Sequence, residues 1–237
     1  MIVLGIETAT RVCAVALVRD AHVMSEESIE EENVHAEKVL TLMDRALAAA
    51  GCSAREVDAI AVSIGPGSFT GLRIGLSTAK GLASGLGKTL IAVPTLLALA
   101  HRVVSAGGLE RLASVLSVID ARRDEVYCQC FRAEAGAITP LWEESDLSMK
   151  DLIERLSGLD VVATGDGCGK LSAFLNGRQI SARIRFAHER IAKCSAASVA
   201  LLGEAFVHEG CRSDPRTLEP LYIKDFYFKT KRADQGA

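Results

Sequence analysis

Two runs of apolar residues, 2–6 and 12–18, flank the polar stretch Glu7-Thr8-Ala9-Thr10-Arg11, and this arrangement predicts a β-hairpin with a polar tip. A third strand is expected over 23–29. From Asn33, read as an N-cap, the apolar positions change to helical spacing. Val39, Met43, Ala46 and Ala50 share a face with Leu40 and Leu47 beside them, until Gly51 ends the pattern. Residues 58–64 read as a buried strand that runs into Gly65-Pro66-Gly67-Ser68 and then a helix containing further glycines. A strand over 89–93 and a helix from Pro94 to about Ser105 follow.

The pattern then begins again. Residues 112–119, a polar turn from Asp120 to Glu125, and residues 126–131 form a second strand-turn-strand unit. Residues 161–164 make a strand entering Gly165-Asp166-Gly167-Cys168-Gly169-Lys170, and 195–208 is a helix that stops at Gly210. Alternating strands and helices define an α/β fold, and the repeated opening suggests an internal duplication. Gly107-Gly108 is taken as the boundary between lobes 1–106 and 107–237, with the helix near 195–209 able to pack back on the first lobe. The tail from Leu221 onward is too polar for a core.

Charge and composition narrow the partners. A formal charge of −3 gives no global attraction to nucleic acid. Hydrophobic residues at 49% with aromatics at only 5% point to a core of aliphatic side chains. The first apolar run reaches Glu7 too soon for a signal peptide, and no later run is long enough to cross a bilayer, so a cytoplasmic protein without membrane contact is expected. Of seven cysteines, Cys128 and Cys130 share one face of a strand and read as buried reduced thiols.

The glycine-bearing helix has three readings. Gly81-Leu82-Ala83-Ser84-Gly85-Leu86-Gly87-Lys88-Thr89 is not a P-loop, because its first glycine is one residue early and it follows a helix rather than a strand. Gly65-Pro66-Gly67-Ser68 could cradle an anion at a helix start, or could simply be a tight turn. Gly71, Gly75, Ala79 and Ala83 recur every four residues and line one stripe with almost no side chain. Interior Gly71, Gly75 and Gly81 together cost about 3 kcal/mol relative to alanine, so close packing must offset them, either inside the molecule or against a partner.

Gly5-Ile6-Glu7-Thr8-Ala9-Thr10, the helix opening Val34-His35-Ala36-Glu37, the run from Gly65 to Gly75, Ile119-Asp120-Ala121-Arg122 and Pro220-Leu221-Tyr222-Ile223 together resemble the bacterial TsaB (YeaZ) family. The resemblance implies an actin-like ATPase (ASKHA) superfamily fold of two related lobes, with mixed sheets and flanking helices. It also implies a required non-catalytic subunit in the threonylcarbamoyl modification of the adenosine next to the tRNA anticodon. Such a subunit binds and activates TsaD, is joined by TsaE in a ternary complex, forms a homodimer when alone, and meets tRNA only through the complex.

In the family the contact uses helices equivalent to 34–50 and 69–84. That moves the stripe toward partner packing and marks His35, Glu37, Val39, Leu40, Met43, Leu47, Gly71, Leu72, Gly75, Ala79 and Ala83 as interface residues. The catalytic paralogue TsaD carries two histidines four apart on a helix; Thr95 and Leu99 stand there in this chain, and neither replaces an imidazole. His101 is a lone histidine, and His35 and Glu37, two apart, share no helix face, so no metal is expected. ATP or ADP is expected to bind the isolated chain weakly if at all, around Thr8, Thr10, Gly65, Gly67, Ser68, Gly165 and Gly167. The alternative function is an actin-like phosphotransferase or a glycoprotease-type hydrolase.

Overall fold

The computed structural model describes residues 1–107, 114–134 and 137–223. Strands β1 (Ile2–Glu7), β2 (Val12–Arg19) and β3 (His22–Glu30) form an antiparallel meander. β4 (Ala59–Gly65) then runs parallel to β1, and β5 (Thr89–Pro94) parallel to β4, giving the order β3-β2-β1-β4-β5. The second sheet uses β6 (Ser114–Asp120), β7 (Glu125–Glu134), β8 (Ala137–Pro140), β9 (Ser145–Ser148), β10 (Asp160–Thr164) and β11 (Arg183–Phe186). Its order is β8-β7-β6-β10-β11, with β9 also paired to β7. Each sheet therefore has an antiparallel meander on one side and parallel strands on the other. The duplication is visible in topology although residue identity between the halves is poor.

The helices are α1 (His35–Ala50), α2 (Phe69–Leu86), α3 (Thr95–Ser105), α4 (Met149–Arg155), α5 (Cys168–Leu175) and α6 (Ala196–His208). Ile2, Leu4 and Ile6 of β1 face α1 and α2, meeting Val39, Leu42, Met43, Leu76 and Ala79. On the opposite face Val3, Ala59 and Ala61 meet Val199, Ala200 and Leu202 of α6. This sheet is covered on both sides, which is why its strands read as continuous apolar runs rather than alternating ones. α3 sends Leu96, Leu99, Ala100 and Val103 toward Val115, Ile119 and Phe131 of the second sheet, whose far face is closed by α4 and α5. Cys128 and Cys130 are wholly buried on that far face, and burial pushes both thiols up to about 12.

α6 lies unusually close to the first sheet. A Cβ on Gly5 would strike the Ala196 carbonyl, and one on Gly203 would strike the Ala61 side chain. Two carboxylates hold the helix there. Glu26 of β3 accepts from Ser195 Oγ at 2.7 Å and Ala197 N at 3.1 Å, covering the helix start. Glu204, 5% exposed, accepts from Asp20 N at 2.9 Å and Ala21 N at 2.6 Å, where the β2–β3 turn places both residues at positive φ.

Several expectations need correction. Asn33 does not cap α1; it sits at φ 61°, and Val34 is the capping residue, without a side-chain bond. β8, β9, α4, α5 and β11 were not foreseen, because they are short and carry little periodic signal. Gly108 and Leu112 lie outside the described residues, as does the tail beyond Ile223.

The glycine stripe faces inward, not toward a partner. Gly71 and Gly75 give room to the carbonyl and hydroxyl of Thr8, while Ala79 and Ala83 are buried in the core beneath α2. Gly81 instead has nothing within 4 Å of a Cβ position. Gly75→Ala is therefore expected to destabilise the chain by about 1–3 kcal/mol, because Thr8 must move. Gly81→Ala is expected to stabilise it by about 1 kcal/mol. Urea unfolding midpoints measure both, and equal shifts for the two variants would contradict the inward assignment.

Candidate functional site

In parallel α/β sheets, ligands gather beyond the carboxyl ends of the strands. Here those ends bring together Glu7-Thr8-Ala9-Thr10 after β1, the Gly65 turn after β4, Asp120 after β6 and Gly165-Asp166-Gly167 after β10. Glu7 is wholly buried. Its Oε1 accepts from Ala9 N at 2.6 Å, and Oε2 has no hydrogen-bond partner among the described residues. Burial pushes this carboxyl up to about 7, and the charge of Asp166 adds to the shift. Thr8 Oγ1 and Thr164 Oγ1 are likewise buried without a partner. His35 Nε2 donates to the Thr10 carbonyl at 3.0 Å, tying α1 to the hairpin tip.

The glycine turns look inward. Gly65 N donates to Thr95 Oγ1 at 3.1 Å, Ser68 N to Ala9 O at 2.7 Å, and Gly71 N to Ser68 Oγ at 3.2 Å. Side chains at Gly65 and Gly67 would collide with Leu221 and Ala9, so these glycines admit neighbouring backbone. In the second loop Gly165 N donates to Ala192 O at 2.9 Å and Gly167 N to Val118 O at 3.1 Å. The N–H groups of Gly65, Ser68, Gly165 and Gly167 thus already have partners within the chain.

Asp166 is the carboxylate that the sequence reading passed over, although its Asp-Gly pair is plain in the chain. Its Oδ1 accepts from Asp120 N at 3.0 Å, and Asp120 in turn holds Lys170. The crevice that Asp166 shares with Thr10, Arg11, Val12, Glu30, Lys193 and Cys194 holds about 30 Å3. That admits one or two waters, whereas small-molecule pockets run to roughly 300–1,000 Å3. Lys193 and Cys194 arrive on the loop before α6 and gave no signal in sequence; Arg102 fixes that loop by donating to the Arg190, Lys193 and Cys194 carbonyls.

The expected interface residues separate by exposure. His35, Val39, Met43, Leu47, Gly71, Leu72, Gly75, Ala79 and Ala83 are buried, whereas Glu37 is exposed and Leu40 is 51% exposed. α2 turns Arg73, Ser77, Gly81, Ser84 and Gly85 outward, with Ile74, Thr78 and Leu82 at the margins. At its start the Arg73 guanidinium stacks 3.6 Å from the centre of the Phe69 ring and donates from Nε to Tyr222 OH at 3.1 Å. Leu221 N donates to Ile64 O at 2.7 Å, so residues 221–222 are tied to the beginning of α2.

Thr95 and Leu99 are wholly buried in α3, and His101, whose titration burial lowers, lies 3.2 Å from Ser105 Oγ. Among the described residues no group of three His, Cys, Asp or Glu side chains is arranged to hold a metal ion. None of their helices is long and apolar enough to cross a membrane.

Residues 23–229 match the family described as TsaD, tRNA N6-adenosine threonylcarbamoyltransferase. The chain is 35% identical over 174 residues to the tRNA threonylcarbamoyladenosine biosynthesis protein TsaB of Escherichia coli, covering 70% of this chain and 72% of that protein. The solved YeaZ from Pseudomonas aeruginosa superposes with a TM-score of 0.77 at 27% identity, covering 93% of this chain and 99% of that one. At the level of fold alone, the activator of the 2-hydroxyisocaproyl-CoA dehydratase from Clostridium difficile, solved with bound ADPNP, superposes with a TM-score of 0.54 at 8% identity, over 94% of this chain and 100% of that one. The two-sheet fold with flanking helices is thus that of the solved YeaZ structure.

Burial of Glu7 makes a pH prediction whose sign is fixed. Below pH 4.5 the carboxyl is protonated in both folded and unfolded chains and contributes nothing to pH dependence. Between 4.5 and about 7 the unfolded chain releases a proton that the folded chain keeps, so stability falls as pH rises, by about 3 kcal/mol in all. Glu7→Gln should remove that slope. Urea midpoints at pH 5, 6, 7 and 8 measure it, and parallel profiles for the native chain and the variant would refute the assignment.

Proposed function

The chain belongs to the TsaB (YeaZ) family of tRNA threonylcarbamoyladenosine biosynthesis proteins, and from that membership we propose that it is a non-catalytic subunit that binds and activates a TsaD-type transferase. The observation that carries this reading is the fate of Thr95 and Leu99. At the positions where the resemblance expects metal-binding histidines, Thr95 gives its oxygen to Gly65 N and Leu99 packs against the second sheet. Both side chains serve the fold, which supports the non-catalytic reading.

The crevice at the strand ends supports the same reading. With about 30 Å3 and the N–H groups of Gly65, Ser68, Gly165 and Gly167 already engaged, it suits ordered water better than a nucleotide, and weak binding of ATP or ADP by the isolated chain is part of this reading. The approach of Asp166 to Glu7 is the one feature that favours a magnesium-nucleotide alternative, and tight binding of ATP with magnesium in a calorimetric titration would revive it.

The contact with the transferase uses the outward faces of α1 and α2, with exposed Leu40 contributed by α1 and half-buried Ile74 and Leu82 by α2. Buried stripe residues act indirectly, by setting how α2 lies on the sheet. Alone, the chain pairs with a second copy through the same face; TsaE joins the complex, tRNA reaches it through the assembly, and the setting is the cytoplasm.

Mixing the chain with the TsaD-type protein of its own organism tests this. Light scattering should give a heterodimer mass, and threonylcarbamoyl transfer to tRNA should depend on the chain. Leu40→Glu combined with Leu82→Glu is expected to weaken association by about tenfold or more while leaving the circular dichroism spectrum unchanged. Transfer at an undiminished rate without the chain would overturn the proposal.

A further inference from the structure

β11 is an edge strand of the second sheet and, among the described residues, pairs only with β10. Around it, residues 178–193 carry Arg178, Arg183, Arg185, Arg190 and Lys193 against one acid, Glu189, in a chain whose formal charge is −3. Neighbouring elements cancel only part of this charge. Arg183 and Arg185 share Asp160, at 3.7 and 3.1 Å, and Lys193 has Glu30. Arg178 lies over the Phe174 ring and donates to the Phe174 carbonyl; among the described residues neither it nor Arg190 has an acidic partner. Phe186, 43% exposed, closes the same strand.

Free sheet edges are commonly protected by charge, but protection against self-pairing needs no excess of one sign. A run with a basic excess, two of its arginines without an acidic partner among the described residues, beside an exposed aromatic fits a polyanion whose phosphates the guanidinium groups meet and whose bases can stack. We infer that this edge, from Arg178 to Lys193, is a direct RNA-contacting face, and that the complex places tRNA against it. The inference rests on the tRNA-modification reading above and adds a contact from this chain itself. The face lies on the second sheet, whereas the proposed transferase contact lies on α1 and α2 outside the first, so both can be occupied together.

The test measures binding of an unmodified tRNA transcript to the chain assembled with its TsaD-type partner, by fluorescence anisotropy across a salt series. Arg178→Glu with Arg190→Glu, which breaks no ion pair, should weaken binding about tenfold or more and lower the salt slope by about two. Phe186→Ser should weaken it at every salt concentration, and Arg132→Glu, on β7, should leave it unchanged. Unchanged affinity and slope in the double variant would sink the inference while leaving the functional reading intact, provided the complex mass is retained. Loss of complex mass in that variant would make the edge a protein contact and also overturn it. Transfer that needs no copy of this chain would remove the functional reading, and with it the premise.

Discussion

Helix α6 against β1 and β4 is the contact on which the rest of the molecule depends. Gly5 and Gly203 remove the side chains that would hold helix and sheet apart, so strand backbone meets helix backbone at Ala196, and the Ala61 side chain of β4 meets the helix backbone at Gly203. Such an approach would leave polar groups stranded without the two carboxylates that meet them. Glu26 answers the N–H groups at the start of α6, and Glu204 answers those of the turn at Asp20 and Ala21. Since α6 follows β11 of the second sheet, its seat on the first sheet joins the two lobes, with α3 reaching the other way.

This joining explains the small crevice. Two sheets that share α3 and α6 as a common layer bring their strand ends face to face. The loops at those ends then hydrogen-bond within the chain: Gly65 with Thr95, Ser68 with Ala9, Gly165 with Ala192, and Asp166 with Asp120. Beside them lies the crevice of about 30 Å3 lined by Thr10, Asp166 and Lys193, and Glu7 is buried with one oxygen unpartnered among the described residues.

Much of the architecture was legible in the order of residues. Continuous apolar runs marked β1, β2 and β4 because both faces of the first sheet are covered, and the repeated strand-turn-strand announced the second sheet before its register was known. Elements of four to eight residues with one half-buried face, such as β8, β9, β11, α4 and α5, lacked the length for a period to emerge.

The glycines of α2 separate what sequence determined from what tertiary structure decided. Spacing alone required that Gly71, Gly75, Ala79 and Ala83 lie on one stripe and that something approach it closely, because helix geometry and the conformational cost of glycine are local properties. Which neighbour approaches is not local. Thr8 lies more than sixty residues before that stripe, and it reaches Gly71 and Gly75 only because β1 and β4 pair in parallel and carry the hairpin tip to the start of α2. The same holds for Glu7, whose acidity the sequence could not assign. A carboxylate's pKa depends on the solvent it loses, and that loss was set by the packing of the two lobes around it.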